Sequence, residues 1–183
     1  MADLTTTSAV KSYIGKVDPG DDAVIASLVT AYSQWIRSWT NRDFTVQTYN
    51  LWRSGHGGDT LILPQWPIVS VQSLAIDGVA ATAQASWGAQ GYRFTDRAIM
   101  LGAGGVFCWG ANNINVAFTA GYSTVPPDIA QAVNELVALR YKMRDKLEWS
   151  SKSLAGETVT LVTKDMPASV ATVLKQYQNV VPL

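Results

Sequence analysis

The hydrophobic rhythm of this chain changes twice, abruptly each time. Val24, Ile25, Leu28, Val29, Tyr32, Trp35, Ile36 and Trp39 recur at spacings of three and four, the repeat of a helix face. From about residue 44 to 121 short β-branched and aromatic runs alternate with turn residues, the pattern of strands. In "VAFTAGYSTVPPDIAQAVNELVALRYKMRDK" (116–146) the rhythm switches back: the β-branched run stops at Gly121-Tyr122, two prolines follow, and a helix starts. No helix-length crossover separates the strands, so they form an antiparallel sheet. The expected fold class is α+β: a bundle of about four helices with an antiparallel β-sheet inserted between helices two and three.

Local signals place the elements. A short helix over residues 6–14 has Thr6 or Thr7 as its cap, Val10, Tyr13 and Ile14 on one face, and Gly15 as its stop. After the turn "VDPGDD", Asp21 or Asp22 caps the second helix. "FTVQTYNLW" and "DTLILP", joined by "RSGHGG", read as a hairpin. In "LPQWPIVSVQSLAIDG" two prolines bracket a bend and Asp77-Gly78 closes a strand with a tight turn. "GYRFTDRAIML" and "NINVAFTAGY" supply two or three further strands. Pro127 suits the first position of the third helix, and Asp128 the positive end of its dipole. Its apolar stripe is Ala132, Leu136, Leu139, Met143 and Leu147, with Ile129 and Val133 beside it; Gln131, Asn134, Glu135 and Lys142 lie mainly outside. "EWSSKSLAGETVTLVTKD" reads as an exposed arm with a short strand at Thr158–Thr163, and a last helix starts near Pro167. The whole is expected to be one domain over 1–183, divided into N-terminal helices (1–43), an inserted β region (44–121), and C-terminal helices with the arm (122–183).

Charge is distributed unusually. The 183 residues carry 14 basic and 14 acidic side chains, and 48% of them are hydrophobic. A dedicated nucleic-acid binder is disfavoured, because such proteins neutralise phosphates with a basic excess. Two stretches are starved of charge. Arg37 is the only charged residue between Asp22 and Arg42, and none occurs from Ala98 to Pro127. Two readings fit the second stretch: strands buried on both faces, or a surface covered by another subunit. The second helix likewise reads as buried more than halfway round, by the rest of the chain or by a partner.

Catalytic groups are sparse. His56 is the single histidine and Cys108 the single cysteine, which excludes internal disulfides, thiolate metal cages, and triad chemistry and metal centres that rely on several histidines. His56 with Asp59 reads as a solvated turn, with a small acid–base hydrolase as the rival. "GAGGVFCWG" lacks the spacing and lysine of a phosphate loop. Seven tryptophans leave open a carbohydrate- or ligand-binding module on the sheet, using Trp66 or Trp87; Trp149 also sits near a loop. No enzyme, cofactor or metal site is expected. The opening "MADLTTTSAVK" reads as no signal peptide and no apolar stretch as a membrane span, so synthesis in a cytoplasm is expected. From Arg140 to Lys152 five basic residues face two acidic ones, which reads as compensation of a helix dipole or as contact with DNA or an acidic surface.

In their order, these segments resemble the head–tail connector (adaptor, or head-completion) proteins of tailed bacteriophages. "LTTTSAVKSYIG…DDAVIASLVTAYSQWIRSWTNRDF" looks like that family's two N-terminal helices, and "LPQWPIVSVQSLAIDG" is similar to a proline-bracketed strand pair of its longer members. "INVAFTAGYSTVPPDIAQAVNELVALRYK" resembles the strand, Gly-Tyr turn, proline and helix signature, and "MPASVATVLKQYQNVV" the closing helix. The inserted strands depart from the compact members, which are almost wholly helical. The resemblance implies a structural virion protein in the neck, made in the bacterial host cytoplasm. It implies a ring, around dodecameric, that docks below the portal protein. That ring extends the DNA channel without sequence-specific binding and gives a platform to a tail-completion or stopper protein; no membrane is involved. Tyr32, Trp35 and Trp39 are the candidate subunit interface. Arg140, Arg144, Lys146 and Lys152 are the candidate DNA-channel or partner contacts.

Overall fold

The computed structural model describes residues 2–15, 19–144, 151–154, 157–160 and 166–179, with the backbone alone for the two short segments. Four helices and antiparallel sheets make it α+β, with the main β region inserted between helices two and three as expected. The chain divides into two compact units: a helical one, up to Asn41 and again over Val125–Val180, and a β one over Arg42–Thr124.

In the helical unit α1 (Thr7–Ile14) starts where the Thr6 hydroxyl accepts the Ala9 amide at 3.2 Å, and stops at Gly15, whose φ of 76° is left-handed. A 3-10 turn at Pro19–Asp21 leads into α2 (Asp22–Thr40), which ends on Asn41 in the same left-handed region. Asp21 makes no side-chain cap hydrogen bond. Its carboxylate accepts instead from the Tyr141 hydroxyl and, at 3.1 Å, from Arg144, so it ties α2 to α3 (Pro127–Met143). α4 (Ala168–Tyr177) is held by the Tyr177 hydroxyl donating to Asp128 at 2.8 Å and by the Asn179 amide donating to the Thr40 carbonyl at 2.8 Å. Between α3 and α4, β8 (Ser151–Leu154) and β9 (Glu157–Thr160) pair antiparallel with each other. The rest of the expected strand to Thr163 lies outside the described residues.

The helical core differs from the simple stripe. On α3 Ala132 and Leu136 are buried as expected, but Leu139 and Met143 are only half-buried, Leu147 lies outside the described residues, and Val137, Ala138 and Tyr141 are buried in addition. Asn134, expected on the polar side, is buried too, and its Oδ1 accepts the Thr5 hydroxyl at 2.8 Å. Ser33 accepts the Leu4 amide at 3.0 Å, and buried Arg37 donates to the Ala2 carbonyl. These three buried polar side chains grip residues 2–5 through those contacts. Around them Val10, Ile25, Val29, Ile36, Val133 and Leu136 close the core.

The β unit is two sheets packed face to face. One has the order β1-β7-β3-β4, with β1 Gln47–Gly55, β7 Gly110–Ala120, β3 Ile68–Ile76 and β4 Val79–Ala81; the other has the order β2-β6-β5, with β2 Thr60–Ile62, β6 Ala98–Leu101 and β5 Tyr92–Phe94. The β3–β4 hairpin turns at Asp77-Gly78 as expected, both residues having positive φ. The expected β1–β2 hairpin does not form. β1 pairs with β7 and β2 with β6, because the glycine-rich link carries the chain from one sheet to the other. That link pairs with the second glycine-rich loop: Gly57 donates to the Phe107 carbonyl at 2.8 Å and Phe107 to that of Gly58 at 2.7 Å. Leu61 and Ile99 from one sheet meet Leu74, Ile114, Val116 and Phe118 from the other between the layers.

Burial on both faces, one reading of the charge-free stretch, is not what β7 shows. Ile114, Val116, Phe118 and Ala120 are buried, whereas the alternating Asn113, Asn115, Ala117 and Thr119 stay half-exposed. The strand end that opens this stretch toward α3 is fixed by Gly121. Its φ is 126°, its amide donates to the Pro67 carbonyl at 2.9 Å, and a Cβ there would stand 2.3 Å from the Thr45 carbonyl oxygen. Only glycine fits.

Candidate functional site

α2 covers its hydrophobic surface incompletely. Ile25, Val29, Ser33, Ile36, Arg37 and Thr40 form the buried arc. Beside it Val24, Leu28, Tyr32, Trp35 and Trp39 make a second stripe at spacings of three and four. Val24 is 44% exposed and the other four are half-buried. Tyr32 and Trp35 meet edge to face, ring centres 6.4 Å apart. The structure therefore brings the three candidate interface aromatics into one continuous, uncharged flank. A partly exposed apolar strip without charge is a candidate contact surface.

A second uncharged surface is the outer face of the four-stranded sheet. Across β1 and β7, Thr48 lies opposite Thr119, Asn50 opposite Ala117, and Trp52 opposite Asn115. Trp52 is 62% exposed. Hydrogen bonds knit the side chains together: Asn115 donates to Asn50 at 2.9 Å, Gln72 to Thr119, and the Thr48 and Thr119 hydroxyls lie 3.4 Å apart. The sheet's one charged side chain, Arg53, lies opposite Ile114 on the covered face. The signal for this surface was in "NINVAFT" (113–119), where polar or small residues (Asn113, Asn115, Ala117, Thr119) alternate with large apolar ones and no charge occurs. Read as a run, it suggested burial; read as an alternation, it exposes one face.

The basic candidates are spread out. Arg140 is exposed on α3. Arg144 is engaged with its own fold, bridging to Asp21 at 3.1 Å with its guanidinium 4.4 Å from the Tyr141 ring centre. Lys146 lies outside the described residues, and Lys152 falls on β8, of which only the backbone is described.

His56 lies edge-on to Trp109, ring centres 5.9 Å apart, while the Asp59 carboxylate accepts the Thr60 hydroxyl at 2.9 Å. The two are thus turned to different partners. Among the described residues no group of three or more His, Cys, Asp or Glu side chains could hold a metal, and no helix is long and apolar enough to cross a membrane. Of the tryptophans proposed as sugar platforms, Trp66 is stacked under the Arg42 guanidinium at 3.6 Å. Trp87 is exposed beside Arg93 at 4.2 Å, and Trp149 lies outside the described residues.

A helical unit and an antiparallel β unit, each bearing an uncharged surface, make this a protein of the α+β class. The profile of the head completion protein family matches residues 3–180. The chain belongs to that family, a structural one, and the resemblance read from the sequence is borne out. Three solved chains share the fold. One is from a structure described as the neck of an empty GTA particle computed with C6 symmetry, at 22% identity over 98% of this chain and 92% of that one, with a TM-score of 0.61. A second is from the virion of a native gene transfer agent (GTA) particle, at 20% identity over 98% and 92%, TM-score 0.60. A third is from the neck of a native GTA particle computed with C12 symmetry, at 18% identity over 100% and 96%, TM-score 0.52. Comparison with curated proteins gives no match.

Proposed function

We propose that the protein is a ring-forming head–tail connector of a virion or virion-like particle. It sits in the neck, docks below the portal, extends the DNA channel and offers a platform to a tail-completion or stopper protein. The observation that carries this reading is the family match over nearly the whole chain. The occurrence of the same fold in GTA necks supports the location, and the neck described with C12 symmetry supports a ring of about twelve copies.

The physical chemistry is consistent with that role. A ring repeats two unlike patches around a closed rotation, and the Tyr32–Trp35–Trp39 flank of α2 is one such patch. A conduit must let DNA slide, which suits a chain with 14 basic and 14 acidic residues better than a strongly basic one. Arg140 at the exposed end of α3 is the described residue best placed to meet phosphate; Arg144, Lys146 and Lys152 complete the proposed contact. The two units act together as one connector subunit. The test is assembly: the purified chain is mixed with the portal ring of the same particle and its mass is followed by sedimentation. Formation of a portal–connector complex supports the reading, and a chain that remains single at every ratio refutes it.

A further inference from the structure

We infer that the α2 flank of one copy packs on the outer face of the four-stranded sheet of the next. Val24, Leu28, Tyr32, Trp35 and Trp39 of one chain would lie on Thr48, Asn50, Trp52, Asn115, Ala117 and Thr119 of its neighbour. The pairing rests on the ring reading and names its second half.

Charge matching selects this pair. Burying an ionisable group without a partner is costly, so an uncharged patch is best sealed by another uncharged patch. The other described helices and the second sheet carry charged groups at their accessible positions: Lys11 on α1, Arg140 and Lys142 on α3, Lys175 on α4, Arg93 on β5. The α2 flank and the outer face of the four-stranded sheet carry none. DNA or an acidic partner would find no cation on either.

The two surfaces also match in polarity and length. The sheet face bears amides and hydroxyls, but its Asn50–Asn115, Gln72–Thr119 and Thr48–Thr119 contacts engage them with one another. Aromatic rings can therefore cover them with less loss of hydrogen bonding to water. Exposed Trp52 adds the large aromatic contact that is enriched at interface centres. Val24 to Trp39 spans about 22 Å of helix, and Asn113 to Thr119 about 20 Å of strand.

The test uses two full-length variants, Ala117→Glu on the sheet and Leu28→Lys on the helix, with Thr48→Glu as a second sheet variant. Each is checked for native circular dichroism and mixed with the portal ring. Each alone should assemble about a hundredfold more weakly than the wild type. An equimolar mixture of Ala117→Glu with Leu28→Lys should recover the ring, because native interfaces then alternate with charge-paired ones, and native mass spectrometry should find the two in equal number. If both sheet variants assemble like the wild type while Leu28→Lys does not, the sheet face is no ring contact and the pairing is overturned, with the ring itself intact. The pairing is equally overturned if all variants fail and the mixture gives no rescue, or if the sheet variants lose only the stopper. Failure of the wild type to assemble would instead sink the underlying connector reading.

Discussion

Arg42, only 3% exposed, is the residue on which one end of the β unit is organised. Its guanidinium lies 3.6 Å from the Trp66 ring centre, within 6 Å of those of Phe44 and Tyr122 (5.7 and 5.9 Å), and donates to the Trp66 carbonyl. A desolvated cation–π contact contributes about 2 kcal/mol and the carbonyl's lost donor about 1–3 kcal/mol. Arg42→Ala should therefore lower unfolding stability by about 2–4 kcal/mol, measured by denaturant titration, and Arg42→Lys should recover only part of it. Tyr49 gives a pH-dependent counterpart. Burial, then its 2.8 Å hydrogen bond to Asp43, pushes the phenol well above its ordinary value. The folded state thus retains a proton that the unfolded chain releases above about pH 10. The stability this provides is full below that pH and lost as pH rises beyond it. Melting temperatures at pH 8 and pH 10.5 should fall further for the wild type than for Tyr49→Phe; parallel falls would contradict this. At this scale the sequence was legible where a rule is local, as with Thr6 and Gly15 at the ends of α1. Arg42 gave no sign, because its aromatic partners lie up to 80 residues away, at Tyr122.

The elements hold the chain together and, in the proposed ring, offer it to other copies. Ile36 is fully buried in the helical core, and Ile36→Ala should cost about 2–4 kcal/mol. Trp35, one residue earlier, lies on the half-buried flank. Trp35→Ser should cost the monomer less than Ile36→Ala while it abolishes assembly on the portal, a contrast that thermal melts and sedimentation would record together. If Trp35→Ser instead unfolds the chain, the flank is core and not interface. Gly121 marks the exit of β7: Gly121→Ala should destabilise by about 1–3 kcal/mol, since a positive φ and a backbone contact both oppose a side chain. The helices were legible from the repeat of their apolar residues and their caps. Strand pairing was legible only where a two-residue turn sets it, at Asp77-Gly78. The β1–β7 and β2–β6 partners join residues far apart in sequence, and no local signal in "RSGHGG" distinguishes a hairpin from a crossing between sheets.

At the scale of the whole molecule, family membership and the distribution of charge converge. The chain matches the head completion family from residue 3 to 180, and among the described residues α2 and the four-stranded sheet each present an uncharged face. The α+β class and the place of the insertion were readable because period changes are long-range averages over many residues. The surface that faces outward on the sheet was legible only in the alternation over residues 113–119, because a run without charge by itself reads equally as burial within the chain or against another copy. The direct measurement is electron cryomicroscopy of the chain bound to the portal ring of its particle. A closed ring of about twelve copies, with the Tyr32–Trp35–Trp39 flank of each copy enclosed against the next, is the predicted result. A portal ring that stays bare, or connector copies that bind singly with this flank open to solvent, would contradict the account.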